Sequence, residues 1–142
     1  MDALSAQDGV QVVGVADPQQ ERARELADRA GGTAYGSWEE LLDAEELDAL
    51  YVCVPPHLHG PLEEAALDRG LPLFVEKPLA ADLATAERLS TRIEDAGLLT
   101  SVGYHWRYLD TLEQARELLA DAPARLVRAA WLDQAPKAPW LR

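Results

Sequence analysis

Short apolar runs that alternate with helix signals limit this chain to very few architectures. Residues 10–16 form a β-branched run that stops at Asp17. A helix is predicted directly after it. Pro18 suits a first helical position, and Asp17 with Gln20 has capping-box spacing. Ala23, Leu26, Ala27 and Ala30 then share one face, and Gly31-Gly32 ends the turn. The same order recurs. Thr33-Ala34-Tyr35 leads to a Ser37/Glu40 capping box with Leu41 and Leu42 on the apolar side. Residues 49–54 lead to a helix begun by Pro61, with Leu62, Ala65 and Ala66 inward. Residues 72–75 lead to a helix bearing Ala86, Leu89, Ile93 and Ala96, which Gly97 stops. Residues 98–102 lead to a helix opened by Asp110 and Glu113, with Leu112, Ala115, Leu118 and Leu119 as its stripe. Residues 124–133 read as one more strand. The continuous run at 49–54 predicts a strand covered on both faces, with Cys53 as a small buried residue.

Strand and helix in strict alternation with short turns imply an α/β fold, an open parallel sheet with helices on both faces. Ligands of such sheets lie outside the carboxyl ends of the strands. That rule selects Asp17, Val54-Pro55, Glu76-Lys77 and residues 103–107. Asp17 has the position of a carboxylate that accepts hydrogen bonds from an adenosine ribose and repels a 2′-phosphate, and it is equally a good helix cap. His59 either faces a ligand or opens the Pro61 helix. Lys77, turned by Pro78, suits proton exchange if a cleft desolvates it, whereas an isolated Glu-Lys pair is most often a surface pair. His105 and Arg107 offer an acid/base group and a fixed cation, and Arg107 has many acidic residues to pair with.

The balance of charge narrows the partners. Among 142 residues, 25 are acidic and 13 basic, giving a net charge of −12. Nucleic acid and anionic membranes are therefore disfavoured. A single cysteine excludes an internal disulfide framework and a thiolate metal cluster. No apolar run reaches the ~18 residues of a membrane span, and no basic start leads into an apolar stretch. The expectation is a cytoplasmic protein without a metal site.

In this order the pieces resemble the Gfo/Idh/MocA family of NAD(P)-dependent oxidoreductases. The matching segments are Val13-Gly14-Val15-Ala16-Asp17-Pro18, Val54-Pro55-Pro56-His57-Leu58-His59, Val75-Glu76-Lys77-Pro78 and Val102-Gly103-Tyr104-His105-Trp106-Arg107-Tyr108. The resemblance implies a Rossmann-like, doubly wound sheet and hydride transfer between nicotinamide and a sugar, cyclitol or similar polyol. It implies Lys77 as the catalytic residue. Asp17, Val54, Pro55, His59 and Glu76 would bind the cofactor, NAD in preference to NADP because of Asp17. Tyr104, His105 and Arg107 would border the substrate.

The sequence also departs from the family. It contains no Gly-x-Gly-x-x-Gly turn to cradle a pyrophosphate. Met1 to Asp8 resembles the end of the helix that follows that turn. The expectation is a family member truncated at both ends. Residues 1–122 would form an incomplete dinucleotide-binding domain, and 123–142 the start of a second α+β domain. The sheet would lack its first strand, so the strands at 10–16 and 50–54 would lose the neighbour between them. A damaged sheet, an alternative pairing or a partner filling the gap would follow. The isolated chain is expected to bind no cofactor. Its alternative role is a non-catalytic module, alone, as a homo-oligomer or with a complementing chain.

Overall fold

In a computed structural model of the chain, which describes residues 2–121, 125, 126, 128 and 130, the predicted alternation is present throughout. A short helix α1 (Asp2–Ser5) precedes β1 (Gly14–Ala16), α2 (Gln20–Ala30), β2 (Thr33–Tyr35), α3 (Trp38–Ala44) and β3 (Leu50–Val52). A 3-10 turn (Pro56–Leu58) leads to α4 (Pro61–Asp68), β4 (Leu73–Val75), α5 (Leu83–Ala96) and β5 (Thr100–Val102). A second 3-10 turn (His105–Tyr108) precedes α6 (Asp110–Leu119). The chain divides into two compact units, Met1–Val102 and Gly103–Arg142. The strand predicted at 124–133 lies largely outside the described residues.

All strand pairs are parallel, but the sheet is in two pieces. β1 pairs with β2, and β3-β4-β5 form a second sheet. No described residue of β1 pairs with β3, so the strands flanking the expected gap do not close on each other. A common core nevertheless joins the pieces. Leu41 and Leu42 of α3 pack with Val52 of β3, Leu73 and Val75 of β4, Leu62 and Ala66 of α4 and Leu89 of α5, while Ala16 and Tyr35 pack against this cluster from the smaller sheet. Each buried Leu or Val contributes about 1.5–3 kcal/mol by leaving water. α2 packs through Ala23 and Ala27, each 1% exposed, and small residues there let the helix approach β1 and β2 closely.

Several local expectations are corrected. The first strand is three residues long, not seven, because only Gly14–Ala16 has a full run of partners on β2. Asp17 and Gln20 do not form a capping box. Gln19 is the N-cap, and the Asp17 carboxylate instead accepts the Gln19 N–H at 2.7 Å within the turn. Ser37 does cap α3 by accepting the Glu40 N–H, but Glu40 reaches back to the Gly36 N–H rather than to Ser37. Asp110 is the first residue of α6, not its cap, and takes the Thr111 N–H. Tyr51 and Cys53 are exposed, against the prediction of a strand covered on both faces. α4 and α5 cover the side of the sheet that carries Val52 and Val75. On the other side Tyr51 stacks on Phe74, with ring centroids 4.9 Å apart. Ala96 is exposed at the last turn of α5.

The second unit, taken by itself, carries the 3-10 turn and α6. The predicted stripe of α6 stays largely exposed, Leu112 at 40% and Leu118 at 83%. The Arg107 guanidinium lies 5.7 Å from the centre of the Tyr108 ring.

Candidate functional site

Within each of the two parallel sheets the carboxyl ends of the strands lie on one edge, the edge where ligands of such sheets bind. Asp17 follows β1, half-buried, with its N–H bonded to the Tyr35 carbonyl. One carboxylate oxygen closes the Gln19 turn. No other side-chain bond of Asp17 exists among the described residues. Val54 and Pro55, both half-buried, follow β3. Glu76 follows β4, and its N–H bonds the Val52 carbonyl at 2.8 Å, which ties the two strand ends together. The Glu76 carboxylate turns back to accept the Lys77 N–H at 3.0 Å. The Lys77–Pro78 peptide is cis, and the Lys77 side chain is exposed. Burial for the acid/base reading of Lys77 is therefore not supplied by the described residues. Beside Glu76, the Cys53 thiol is pushed above its ordinary range, first by partial desolvation and then by the Glu76 carboxylate.

His59 takes a different place from the other strand-end residues. Its side chain is fully buried, with Nδ1 2.6 Å from Glu63 Oε1. The second carboxylate oxygen of Glu63 accepts the Gly60 N–H at 2.6 Å. Gly60 has φ 122°, a conformation that a Cβ would strain, and it leads directly into α4. His59 and Glu63 thus fix the turn between β3 and α4. The His59 Nε2 is buried without a hydrogen-bond partner among the described residues. Glu63, 0% exposed, was not singled out from the sequence. Its signal was there, three residues after the N-cap Gly60 and one helical turn after His59.

Tyr104, His105 and Arg107 all fall in the second unit and are exposed. His105 is tilted against Trp106, with centroids 6.0 Å apart. Among the described residues no cluster of His, Cys, Asp or Glu could hold a metal ion. No described helix is long and apolar enough to cross a membrane.

A parallel sheet wound with helices, with an acidic residue after β1 and Glu-Lys after β4, is the frame of a nucleotide-binding domain of the Rossmann type. Residues 1–104 match the family described as "Oxidoreductase family, NAD-binding Rossmann fold", and the chain belongs to that family, Gfo/Idh/MocA. It is 39% identical over 107 residues to D-xylose 1-dehydrogenase (NADP(+)) 2 of Haloferax volcanii, covering 75% of this chain and 33% of that protein. It is 30% identical over 104 residues to scyllo-inositol 2-dehydrogenase (NAD(+)) of Bacillus subtilis, covering 70% and 30%. A 3-ketoreductase from Actinomadura kijaniata, solved with TDP-benzene and NADP, superposes with a TM-score of 0.73 at 30% identity, over 84% of this chain and 38% of that one. The chain spans about a third of the length of the relatives it matches.

Proposed function

We propose that the chain supplies the adenosine side and the lysine of an NAD(P)-dependent oxidoreductase site that acts on a sugar, cyclitol or similar polyol. The observation that carries this reading is the placement of Asp17, Glu76 and Lys77 after parallel strands in a member of this family. When bound, the nicotinamide accepts or supplies the hydride. Asp17 has a carboxylate oxygen left to take ribose hydroxyls, and its charge disfavours a 2′-phosphate, so NAD is preferred to NADP. Val54 and Pro55 line the cofactor cleft, with His59 holding their turn from within. Glu76 lies near the nicotinamide ribose. Lys77, held at a strand end by the Glu76 turn, moves the proton of the substrate hydroxyl. Tyr104, His105 and Arg107 border the substrate. Residues 1–122 form the dinucleotide-binding part, and 123–142 begin a second domain.

The absence of a Gly-x-Gly-x-x-Gly sequence in residues 1–142 supports a second reading, a non-catalytic module that binds no cofactor by itself. Calorimetric titration of NADH into residues 1–142 tests this second reading. No heat of binding is expected, and saturable binding would show that the chain needs no such turn.

In a protein that contains this chain and turns over substrate, Lys77→Ala should lower kcat about 100-fold or more while the Kd for NADH changes little, as for loss of a general acid/base. Equal loss of both would make Lys77 structural. Asp17→Ser should raise kcat/KM with NADP relative to NAD. An unchanged ratio would leave Asp17 only its turn-closing role.

A further inference from the structure

We infer that Glu63 is a positioning residue for cofactor binding. It holds His59 with the ring hydrogen on Nδ1, and through that imidazole it sets where Val54 and Pro55 stand at the carboxyl end of β3. The inference rests on the reading that Val54 and Pro55 line the cofactor cleft.

The turn after β3 is fastened along its length. At its start the Glu76 N–H bonds the Val52 carbonyl at 2.8 Å, and Val54 packs against the core. In its middle the Leu58 N–H bonds the Pro55 carbonyl at 2.9 Å, which closes the 3-10 turn Pro56–Leu58. That turn leaves His57 and Leu58 exposed, whereas His59 points inward and is buried. At its end His59 and the Gly60 N–H both bond Glu63. A Cβ added at Gly60 would lie 3.3 Å from Thr85 Cγ2, so the first turn of α5 backs the chain there.

These bonds also select a tautomer. The Gly60 N–H can only donate, so Glu63 Oε2 accepts it. A carboxylate accepts with its second oxygen too, so Oε1, 2.6 Å from Nδ1, takes a hydrogen from the imidazole. Nε2 is thereby left with its lone pair, buried and without a partner among the described residues. The other tautomer would bury an N–H at Nε2 instead, and unpaired N–H groups are rarer in protein interiors than under-satisfied acceptors.

Glu63→Gln separates the bonds from the packing. The Gly60 N–H keeps the amide oxygen toward itself, so the amide NH2 faces Nδ1 and donates to it. His59 must then carry its hydrogen on Nε2. Shape is kept and the tautomer is inverted. The buried Nε2–H meets no acceptor among the described residues, which drives the imidazole from its place. The turn loses its inner fastening, and a cleft wall that has to be ordered on binding lowers affinity. Lys77 follows β4 and keeps its own bond to Glu76.

The test has two arms. The first records long-range 1H–15N spectra of the histidine rings in residues 1–142, with His57→Gln and His105→Gln for assignment. The hydrogen of His59 should be on Nδ1 in the wild type and on Nε2 in Glu63→Gln. The second uses a protein that contains this chain and turns over substrate. There Glu63→Gln should raise the Kd for NADH about tenfold or more, while kcat at saturating cofactor stays within about twofold. That split is the reverse of the one expected for Lys77→Ala. A His59 hydrogen on Nε2 in the wild type overturns the inference without any variant. An unchanged Kd in Glu63→Gln overturns it too, and leaves the oxidoreductase reading standing. Equal losses of kcat and affinity would make Glu63 structural and overturn it likewise. A wild-type protein that binds no nicotinamide cofactor overturns the oxidoreductase reading, and this inference with it.

Discussion

Glu63 shows how much one side chain can hold. Both its oxygens are committed, one to a buried imidazole and one to the N–H of a glycine at positive φ. Removing it leaves His59 Nδ1 and the Gly60 amide buried without partners. Leaving two buried polar groups unsatisfied costs about 2–6 kcal/mol, at about 1–3 kcal/mol for each. Glu63→Ala should therefore lower the unfolding free energy by about that amount in urea titration. Glu63→Gln, which keeps an oxygen for the Gly60 N–H, should cost less than half as much. Near-equal losses would show that packing rather than these two bonds sets the role of Glu63. At this scale the sequence was legible where a residue type has one use, as for the glycines at positive φ that end α2 and α5. It was ambiguous where one spacing serves two geometries. Asp17 two residues before Gln19 and three before Gln20 fits either a turn or a capping box, and the closer amide took the carboxylate.

At the scale of the element, α5 shows what a proper cap contributes. Asp82 accepts the Thr85 N–H at 2.9 Å, and this bond to the backbone holds its carboxyl below the ordinary value of 3.8. A folded-state value below the unfolded one gives stability that is complete above the unfolded value. That stability is lost as pH falls through the folded value. Asp82→Asn keeps an acceptor but does not titrate. The melting-temperature difference, wild type minus Asp82→Asn, should therefore shrink from about pH 5 to about pH 3. A constant difference would remove Asp82 from the acid response. Helices α2, α3, α4 and α5 were readable because each has an apolar stripe at helical spacing that the core takes up, through Ala23 and Ala27, Leu41 and Leu42, Leu62 and Ala66, and Leu89. Strand limits were less readable because a strand ends where its partner ends, and apolar character does not record the partner. Residues 10–13 are apolar enough for a strand but extend past the run paired with β2. Tyr51 and Cys53 carry the composition of a two-sided strand, yet described helices cover only the Val52 side.

For the whole molecule, the question is whether surface charge helps or opposes folding. Exposed arginines pair with acidic residues between neighbouring helices, Arg69 with Asp43, Arg88 with Glu64 and Arg92 with Asp68. Each such pair is worth about 0–1 kcal/mol, and salt weakens it. Against them stands an excess of 12 negative charges on a chain of 142 residues. Its self-repulsion also weakens with salt, with a screening length of about 10 Å at 0.1 M. The two effects have opposite signs. Each pair gains little from low salt, while the excess charge is distributed over the whole chain, so repulsion dominates. Raising sodium chloride from about 10 to about 150 mM, which shortens the screening length from roughly 30 to roughly 8 Å, should therefore raise the melting temperature. Sodium sulfate at matched ionic strength should raise it further, because sulfate also strengthens apolar burial. A melting temperature that falls over the sodium chloride range would place ion pairs such as these above the net charge in stabilising the helices around the core.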